Sequence, residues 1–255
     1  MMTKRILTTM VVMMTMAIQG VTAAGADTLT VRVKGMRCEE CAHKVGNVLR
    51  KVSGVESLDF NIERRTVCIA YDPSATCADT LRARLAATGR YKASDYSPAD
   101  TITRGMGLQM ADMHCQNCAN RIAARFKGMA GIDSLAAHVD KHYVFFRYDA
   151  NHLSKEDIRR TLCDMGFTPV NYYTGKTIGF AYFNIPAEAA TEATRETAMT
   201  LDGVDDATVN PKNLALALTY INTETTAEKL LAELQAAGIA ATVPPAHECQ
   251  EEATE

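Results

Sequence analysis

The sequence predicts an α+β chain of three tandem β-α-β-β-α-β units behind an amino-terminal signal peptide. Three observations carry this expectation. A shift of 77 residues lays Met36, Cys38, Cys41, Ala42 and Gly54 on Met113, Cys115, Cys118, Ala119 and Gly131 without a gap. The same shift pairs Tyr71-Asp72 with Tyr148-Asp149, Leu85 with Leu162 and Gly89 with Gly166, and a further shift of 72 lays Gly131, Tyr148, Leu162 and Gly166 on Gly203, Tyr220, Leu234 and Gly238. Within each unit, apolar residues alternate in twos, then recur in steps of three and four, then alternate again, as strands and amphipathic helices do.

The leader comes first. Lys4 and Arg5 precede an apolar stretch of 13 residues, Ile6 to Ile18, and Ala24-Gly25-Ala26 supplies small residues at a cleavage point before Asp27. Such a stretch is short of the ~20 apolar residues a bilayer core needs, which argues against a permanent membrane span. The expected product is exported, periplasmic or secreted, and mildly acidic, with 25 basic against 30 acidic residues.

In the first unit Leu29, Val31 and Val33 alternate as a half-buried strand, and the loop Met36 to Cys41 follows. Ala42, Val45, Val48, Leu49 and Val52 form one helical face that Gly54 ends. Val55 to Ile62 and Thr66 to Tyr71 flank the polar turn Glu63-Arg64-Arg65, a hairpin signal; Leu81 and Leu85 mark a second helix capped by Gly89, and Tyr91 to Tyr96 supplies a last strand. The second unit repeats the plan with Ile122, Phe126 and Met129, and opens its second helix with Ser154 three residues before Asp157. The third does so with Thr225 three residues before Glu228, followed by Leu230, Leu231 and Leu234. The expected spans are a signal peptide at 1–26, units at 27–97, 105–174 and 177–244, and an acidic tail at 245–255. Units of this size, about 68 residues, are small but able to fold alone.

Composition narrows the function. With 47% apolar and 22% charged residues the chain is neither disordered nor multispanning, and a net charge of −3 with no run of more than two basic residues leaves no footprint for nucleic acid. No glycine-rich phosphate loop, His-Glu-x-x-His or Gly-x-Ser-x-Gly is present, so a conventional enzyme is not expected.

The chemistry is concentrated in Met36-Arg37-Cys38-Glu39-Glu40-Cys41 and Met113-His114-Cys115-Gln116-Asn117-Cys118. Two cysteines spaced by two residues, the first in a loop and the second at a helix start, turn both sulfurs to one point, where helix-end N–H groups favour thiolate. Paired thiolates suit Cu(I), Zn(II), Cd(II) or Hg(II), and a set of only two favours Cu(I) or Hg(II). Glu39 and Glu40 either raise the thiol pKa of the first pair or are solvated loop residues with no role, and His43 and His114 are candidates for third ligands or exposed polar residues. In the third unit the gap-free shift puts Ala187 and Ala190 at the thiol positions, a lost site. Cys68 and Cys163 read as packing residues, Cys77 as a conceivable disulfide partner of Cys68, and His247-Glu248-Cys249 as either a tail ligand or part of an exposed acidic end.

A β-α-β-β-α-β unit carrying Met-x-Cys-x-x-Cys resembles the heavy-metal-associated domain family, which has a ferredoxin-like fold and includes copper chaperones, periplasmic mercury-binding proteins and the amino-terminal modules of metal-transporting ATPases. The resemblance covers the first two units nearly whole and the third in pattern only. It implies Cys38, Cys41, Cys115 and Cys118 as metal ligands, Met36 and Met113 as inward-packed supports of the loop, a soft ion as cargo with Cu(I) favoured, and a metal-transporting ATPase or other metal-handling protein as partner. Two departures from the family pattern stand out: the glycine before the motif methionine is Gly35 in the first unit but Asp112 in the second, and the shift sets Arg90 opposite the aromatic Phe167.

Three functions compete. The first is a metal carrier, buffer or chaperone passing its ion by thiolate exchange. The second is a thiol–disulfide redox protein, disfavoured by the lack of Trp and of Pro between the cysteines. The third is an interaction module whose thiol-free third unit docks a partner.

Overall fold

The computed structural model describes residues 26–175 and 177–245; the expected leader up to Gly25 and the tail beyond Pro245, with Cys249, lie outside the described residues. The first unit contains β1 (Asp27–Lys34), α1 (Glu39–Leu49), β2 (Val55–Asn61), β3 (Thr66–Tyr71), α2 (Ala78–Ala86) and β4 (Lys92–Asp95). The second contains β5 (Thr103–Gln109), α3 (Gln116–Phe126), β6 (Ile132–His138), β7 (Tyr143–Asp149), α4 (Lys155–Asp164) and β8 (Val170–Asn171). The third contains β9 (Ile178–Asn184), α5 (Glu192–Met199), β10 (Val204–Asn210), β11 (Ala215–Ile221) and α6 (Ala227–Ala236). Sheet orders β2-β3-β1-β4 and β6-β7-β5-β8, all antiparallel, place the two outer strands either side of a central pair. The third sheet, β10-β11-β9, keeps only an isolated bridge from Asn184 to Thr242 where the fourth strand would lie.

Each unit has its own core. Val31, Val33, Met36, Val45, Leu49, Ile69, Leu81 and Leu85 are fully buried in the first, and Leu108, Met113, Ile122, Val144, Phe146, Ile158 and Leu162 in the second. The third core is thinner, with Ala181, Ala198, Ala207 and Ala241 among Leu216, Leu218, Leu230 and Leu234. Ile102 falls in the segment expected to be linker, yet it is fully buried in the second core, and its N–H donates to Asp149 Oδ1 at 2.8 Å.

One backbone device recurs. Arg65, His142 and Leu214, each ending a hairpin turn, take left-handed φ angles of 56°, 53° and 52°. Their carbonyls accept from Val33 N (2.7 Å), Met110 N (2.7 Å) and Ile185 N (2.8 Å), just ahead of the loop that leads into the first helix. A non-glycine residue pays about 1–2 kcal/mol for this conformation, so a hydrogen bond repeated in all three units offsets a real cost.

The gap-free alignment needs two corrections. Arg32 pairs with Ser94 where Gln109 pairs with Val170, so the register sets Tyr91, not Arg90, opposite Phe167, and Arg90 is an additional residue of the first unit. Tyr91 (5% exposed) fills the place of Phe167 (3%). In the third unit Asn184 pairs with Ala215 where Gln109 pairs with Tyr143, which puts β9 three residues later than the shift of 72 requires, and α5 starts four residues late. Ala187 lies in a short 3-10 turn (Ala187–Ala189) and Ala190 just after it; Thr191 caps α5, its side chain accepting from Thr194 N at 3.4 Å. Thr191 and Thr194 therefore stand where the second unit has Cys115 and Cys118. The physical cause is a shorter helix, eight residues against eleven, preceded by a longer loop.

The units are also joined. Glu63, in the first unit's hairpin turn, accepts from Arg104 Nε through its carbonyl (2.5 Å) and from Lys155 N through its carboxylate (2.9 Å), the latter at the start of α4; it also takes the Tyr148 hydroxyl. Between the second and third units, Arg159 Nη2 reaches Asp206 Oδ2 and Thr208 Oγ1, both at 2.7 Å, with Arg159 17% and Asp206 14% exposed. Asn210 Nδ2 donates to Phe167 O (2.7 Å), and Thr219 Oγ1 to Asn171 O (2.7 Å). Among the described residues no helix is long and apolar enough to cross a membrane.

Candidate metal centres

Cys38 and Cys115 occupy the N-cap positions of α1 and α3 with extended backbone (φ −151° and −144°), and Cys41 and Cys118 are the third residues of those helices. A capping serine would turn its side chain onto the N–H of that third residue. Here neither cysteine closes a full side-chain cap, although the Cys118 N–H still acts on the Cys115 sulfur, and in each unit the two sulfurs face each other. They lie 3.0 Å apart in the first unit and 3.4 Å in the second. Cys38 is exposed and Cys41 buried, whereas Cys115 and Cys118 are half-buried. Met36 and Met113 are fully buried beneath the loops, their N–H groups closing tight turns onto Val33 O (3.3 Å) and Met110 O (3.1 Å).

The pairs differ electrostatically. In the first, the Cys41 thiol is drawn down to about 7, chiefly by the Cys38 thiol, then by the Arg37 N–H, with the Arg90 guanidinium 4.0 Å away adding positive charge. The expected rise from Glu39 and Glu40 is not what the site does: Glu40 is bound to Lys44 at 2.6 Å, and the inserted Arg90 opposes the carboxylates. In the second, it is Cys115 that is lowered, first by the Cys118 N–H and then by the Cys118 thiol. The arginine near this pair is Arg121, which lies over the Phe167 ring at 5.6 Å and adds a smaller lowering influence on Cys115. His142 Nδ1 is 2.9 Å from Met113 O and steadies the second loop, a contact the sequence reading missed because a hairpin residue is remote from the motif in the chain.

Asp112, in place of the glycine Gly35, has a distinct role. Gly35 has φ +100°, and a Cβ there would lie 2.8 Å from Arg90 O. Asp112 instead turns its carboxylate to the neighbouring unit: Oδ2 accepts from Thr168 N (2.7 Å) and from Asn213 Nδ2 (3.0 Å) of the third unit.

Among the described residues no group of three His, Cys, Asp or Glu forms a metal cluster, so neither His43 nor His114 completes a site and the two pairs do not merge. Cys68 and Cys77 are both free; Cys77 occupies the N-cap position of α2 without a side-chain cap, and its sulfur lies 3.3 Å from Thr80 Oγ1. Burial pushes the Cys163 thiol up to about 11.

The sequence profile of the heavy-metal-associated domain matches residues 30–90 and 108–168, the two segments that carry these sulfur pairs. The first two units belong to the heavy-metal-associated domain family. The third lies outside the matched residues. Copper-transporting ATPase 2 of Homo sapiens is 23% identical to the chain over 165 residues, covering 55% of this chain and 11% of the ATPase. The copper-exporting P-type ATPase of Bacillus subtilis is 22% identical over 139 residues, covering 54% and 16%. The chain thus spans between a tenth and a sixth of these relatives. Among solved structures, oxidized MerP from Ralstonia metallidurans CH34 is 30% identical and covers 28% of this chain and 99% of its own, with a TM-score of 0.27.

The acidity of Cys41 gives a direct test. Its depressed pKa adds to folded-state stability above pH 9, its ordinary value, and that contribution is lost as the pH falls through about 7. In the reduced, metal-free protein, alkylation of Cys41 by iodoacetamide is expected to rise with pH to a half-maximum near 7, while Cys163 stays inert until the solution is far more alkaline. Peptide-resolved mass spectrometry measures both, and Arg90→Ala should move the Cys41 midpoint upward.

Proposed function

We propose that the chain is an exported carrier, buffer or chaperone for a soft metal ion, Cu(I) before Zn(II), Cd(II) or Hg(II), with one ion held by Cys38 and Cys41 and a second by Cys115 and Cys118. The observation that carries this reading is the same arrangement built twice: two sulfurs converging at a helix start over a buried methionine, with no third ligand among the described residues. Two thiolates satisfy Cu(I) or Hg(II) and leave the ion open to attack by an incoming thiolate, whereas Zn(II) wants four ligands.

Loading requires the sulfurs to separate. With metal–sulfur bonds of about 2.3 Å, a linear arrangement spaces the sulfurs by roughly 4.6 Å, more than the 3.0 and 3.4 Å seen here. Rotation of the exposed Cys38 side chain supplies this movement in the first unit. Release then proceeds by exchange: a first partner thiolate adds to the ion and one cysteine leaves, then a second partner thiolate adds and the other cysteine leaves, with no change of oxidation state. A metal-transporting ATPase is the kind of partner the copper-transporting relatives suggest. The leader at the start of the sequence supports export, and no catalysed reaction is assigned to the chain.

Anaerobic titration of the reduced protein with Cu(I), and separately with Zn(II), against a competing chelator tests the proposal. About two Cu(I) ions are expected per chain, with none bound tightly once Cys38, Cys41, Cys115 and Cys118 are all serine. Equal behaviour of the two proteins would overturn the metal reading and turn attention to the close sulfur pairs as disulfide-forming couples.

A further inference from the structure

Two histidines stand beside the second sulfur pair. His114 immediately precedes Cys115, and His142 is the left-handed residue that ends the turn between β6 and β7. Both residues are half-buried, and their ring centres lie 6.4 Å apart with the ring planes at 71°. With Asp112 they line a cleft of about 700 Å³ between the second and third units.

We propose that His114 and His142 form a two-imidazole site for a monovalent soft cation, which receives the ion and passes it to Cys115 and Cys118. The site rests on the metal reading given above and adds a receiving station to one of its two thiolate pairs. It is distinct from that pair, since among the described residues no three His, Cys, Asp or Glu combine around one point.

Three features support it. The first is spacing. With metal–nitrogen bonds of about 2.0 Å and a ring centre about 1.1 Å behind the nitrogen, two imidazoles on opposite sides of one ion have centres roughly 6.2 Å apart. The observed separation is 6.4 Å. Rings bound end-on take any twist about their common axis, so the angle of 71° suits this arrangement.

The second is orientation. His142 Nδ1 lies 2.9 Å from Met113 O. A carbonyl only accepts, so Nδ1 carries the hydrogen, and in the neutral ring Nε2 keeps the lone pair. Donation of the other ring N–H to a carbonyl is how a metal-binding histidine is commonly held in place. The carbonyl here belongs to the residue before His114, so the loop that carries one imidazole also aims the other.

The third is the contrast between units. The shift of 77 sets Arg37 opposite His114 and Arg65 opposite His142, and Arg65 takes the same left-handed turn position. A guanidinium stays charged and has no lone pair to offer a cation. The imidazoles are thus both present in one unit and both replaced in the other. The cleft agrees with a cation as ligand: Asp112 supplies a carboxylate, and no lysine or arginine stands among its described lining residues.

Two neutral nitrogens hold Cu(I) less tightly than two thiolates, so the ion moves on toward sulfur. One imidazole leaves as Cys115 Sγ bonds and the other as Cys118 Sγ bonds. Copper stays Cu(I), and a cysteine that starts as a thiol gives its proton to water.

Two measurements test the site. In the whole chain with Cys38, Cys41, Cys115 and Cys118 all serine, ring-nitrogen NMR during an anaerobic Cu(I) titration is expected to show His142 Nε2 and a His114 nitrogen shifting in step. His142→Asn, which keeps a donor for Met113 O and a residue that tolerates the left-handed turn, should abolish the His114 response. In the chain with only Cys38 and Cys41 replaced, stopped-flow loading from a Cu(I)–chelator complex is expected to slow at least about tenfold when His114→Asn and His142→Asn are combined. Conversely, with Cys115 and Cys118 replaced, R37H/R65H should load the first pair faster than R37N/R65N, which removes the same charges without adding imidazoles. Rings that respond separately or not at all would overturn the site, and loading at the parent rate would overturn its role in delivery. Failure of the chain that keeps Cys115 and Cys118 to bind Cu(I) would overturn the carrier reading, while the ring titration still decides the imidazole pair.

Discussion

Replacing Asp206 by alanine is expected to uncouple the third unit from the second and to cost roughly 2–3 kcal/mol, between the values for an exposed and a fully buried ion pair, because both partners keep some contact with water. The substitution leaves the Arg159 guanidinium facing Pro169 O, Thr208 Oγ1 and Asn171 Oδ1 with no carboxylate to balance its charge. It also removes the acceptor of the Asn171 N–H, at 2.8 Å, on the short strand β8. Urea unfolding followed by a probe in each unit should then separate into two transitions, where the second and third units of the parent chain are expected to melt together. Coincident transitions in D206A would show that the junction rests on the contacts of Asn210, Asn213 and Thr219 instead. The double variant R159M/D206A completes the cycle: removing both charges should restore much of what the single change loses, since the damage comes from a stranded cation and not from the missing bond.

Met113→Ala is expected to cost the second unit about 2–5 kcal/mol, the usual range for emptying a fully buried methionine site. A unit of this size has only some 3–10 kcal/mol in hand at typical values per residue. The urea midpoint of the second unit should therefore fall steeply while that of the first stays in place, and Cys118, now half-buried against the second core, should become reactive to thiol reagents. Met113→Leu keeps the volume and should cost less than about 1.5 kcal/mol. If alanine leaves both the midpoint and Cys118 reactivity unchanged, Met113 does not hold the loop, and its burial is incidental to the site.

The parts of this structure that were legible in the sequence are those set by short-range rules. Strand alternation, helix steps of three and four, the Ser154 capping box and glycines at helix ends each act within a few residues, and the element order follows from them. The pairing of cysteines at a helix start was legible for the same reason, since the N-cap and the third helical position are fixed by local geometry. What was hidden depends on strand register and on contacts between units. Arg90 aligned with Phe167 because glycines on one side of it matched, yet hydrogen bonding across β1 and β4 sets Tyr91 there and turns Arg90 toward Cys41. Ala187 and Ala190 were placed by counting back from a well-matched second half, whereas the shorter α5 moved the helix start to Thr191. Asp112 departed from the family pattern, and its carboxylate is explained by contacts remote in the chain, Thr168 N in its own unit and Asn213 in the third.

The left-handed hairpin residues Arg65, His142 and Leu214 bear on the order in which each unit assembles. The N–H ahead of each first loop is satisfied by a carbonyl that lies beyond the first helix and the following strand. Contacts between residues so far apart in sequence form slowly, because chain entropy is lost before they are made. In a chain emerging residue by residue, the two cysteines of a motif leave together, but the loop that poses them closes only after the hairpin downstream has formed. Each sulfur pair thus matures late, when its unit is nearly complete, and during that interval its thiols are open to whatever oxidant or metal donor the surroundings provide.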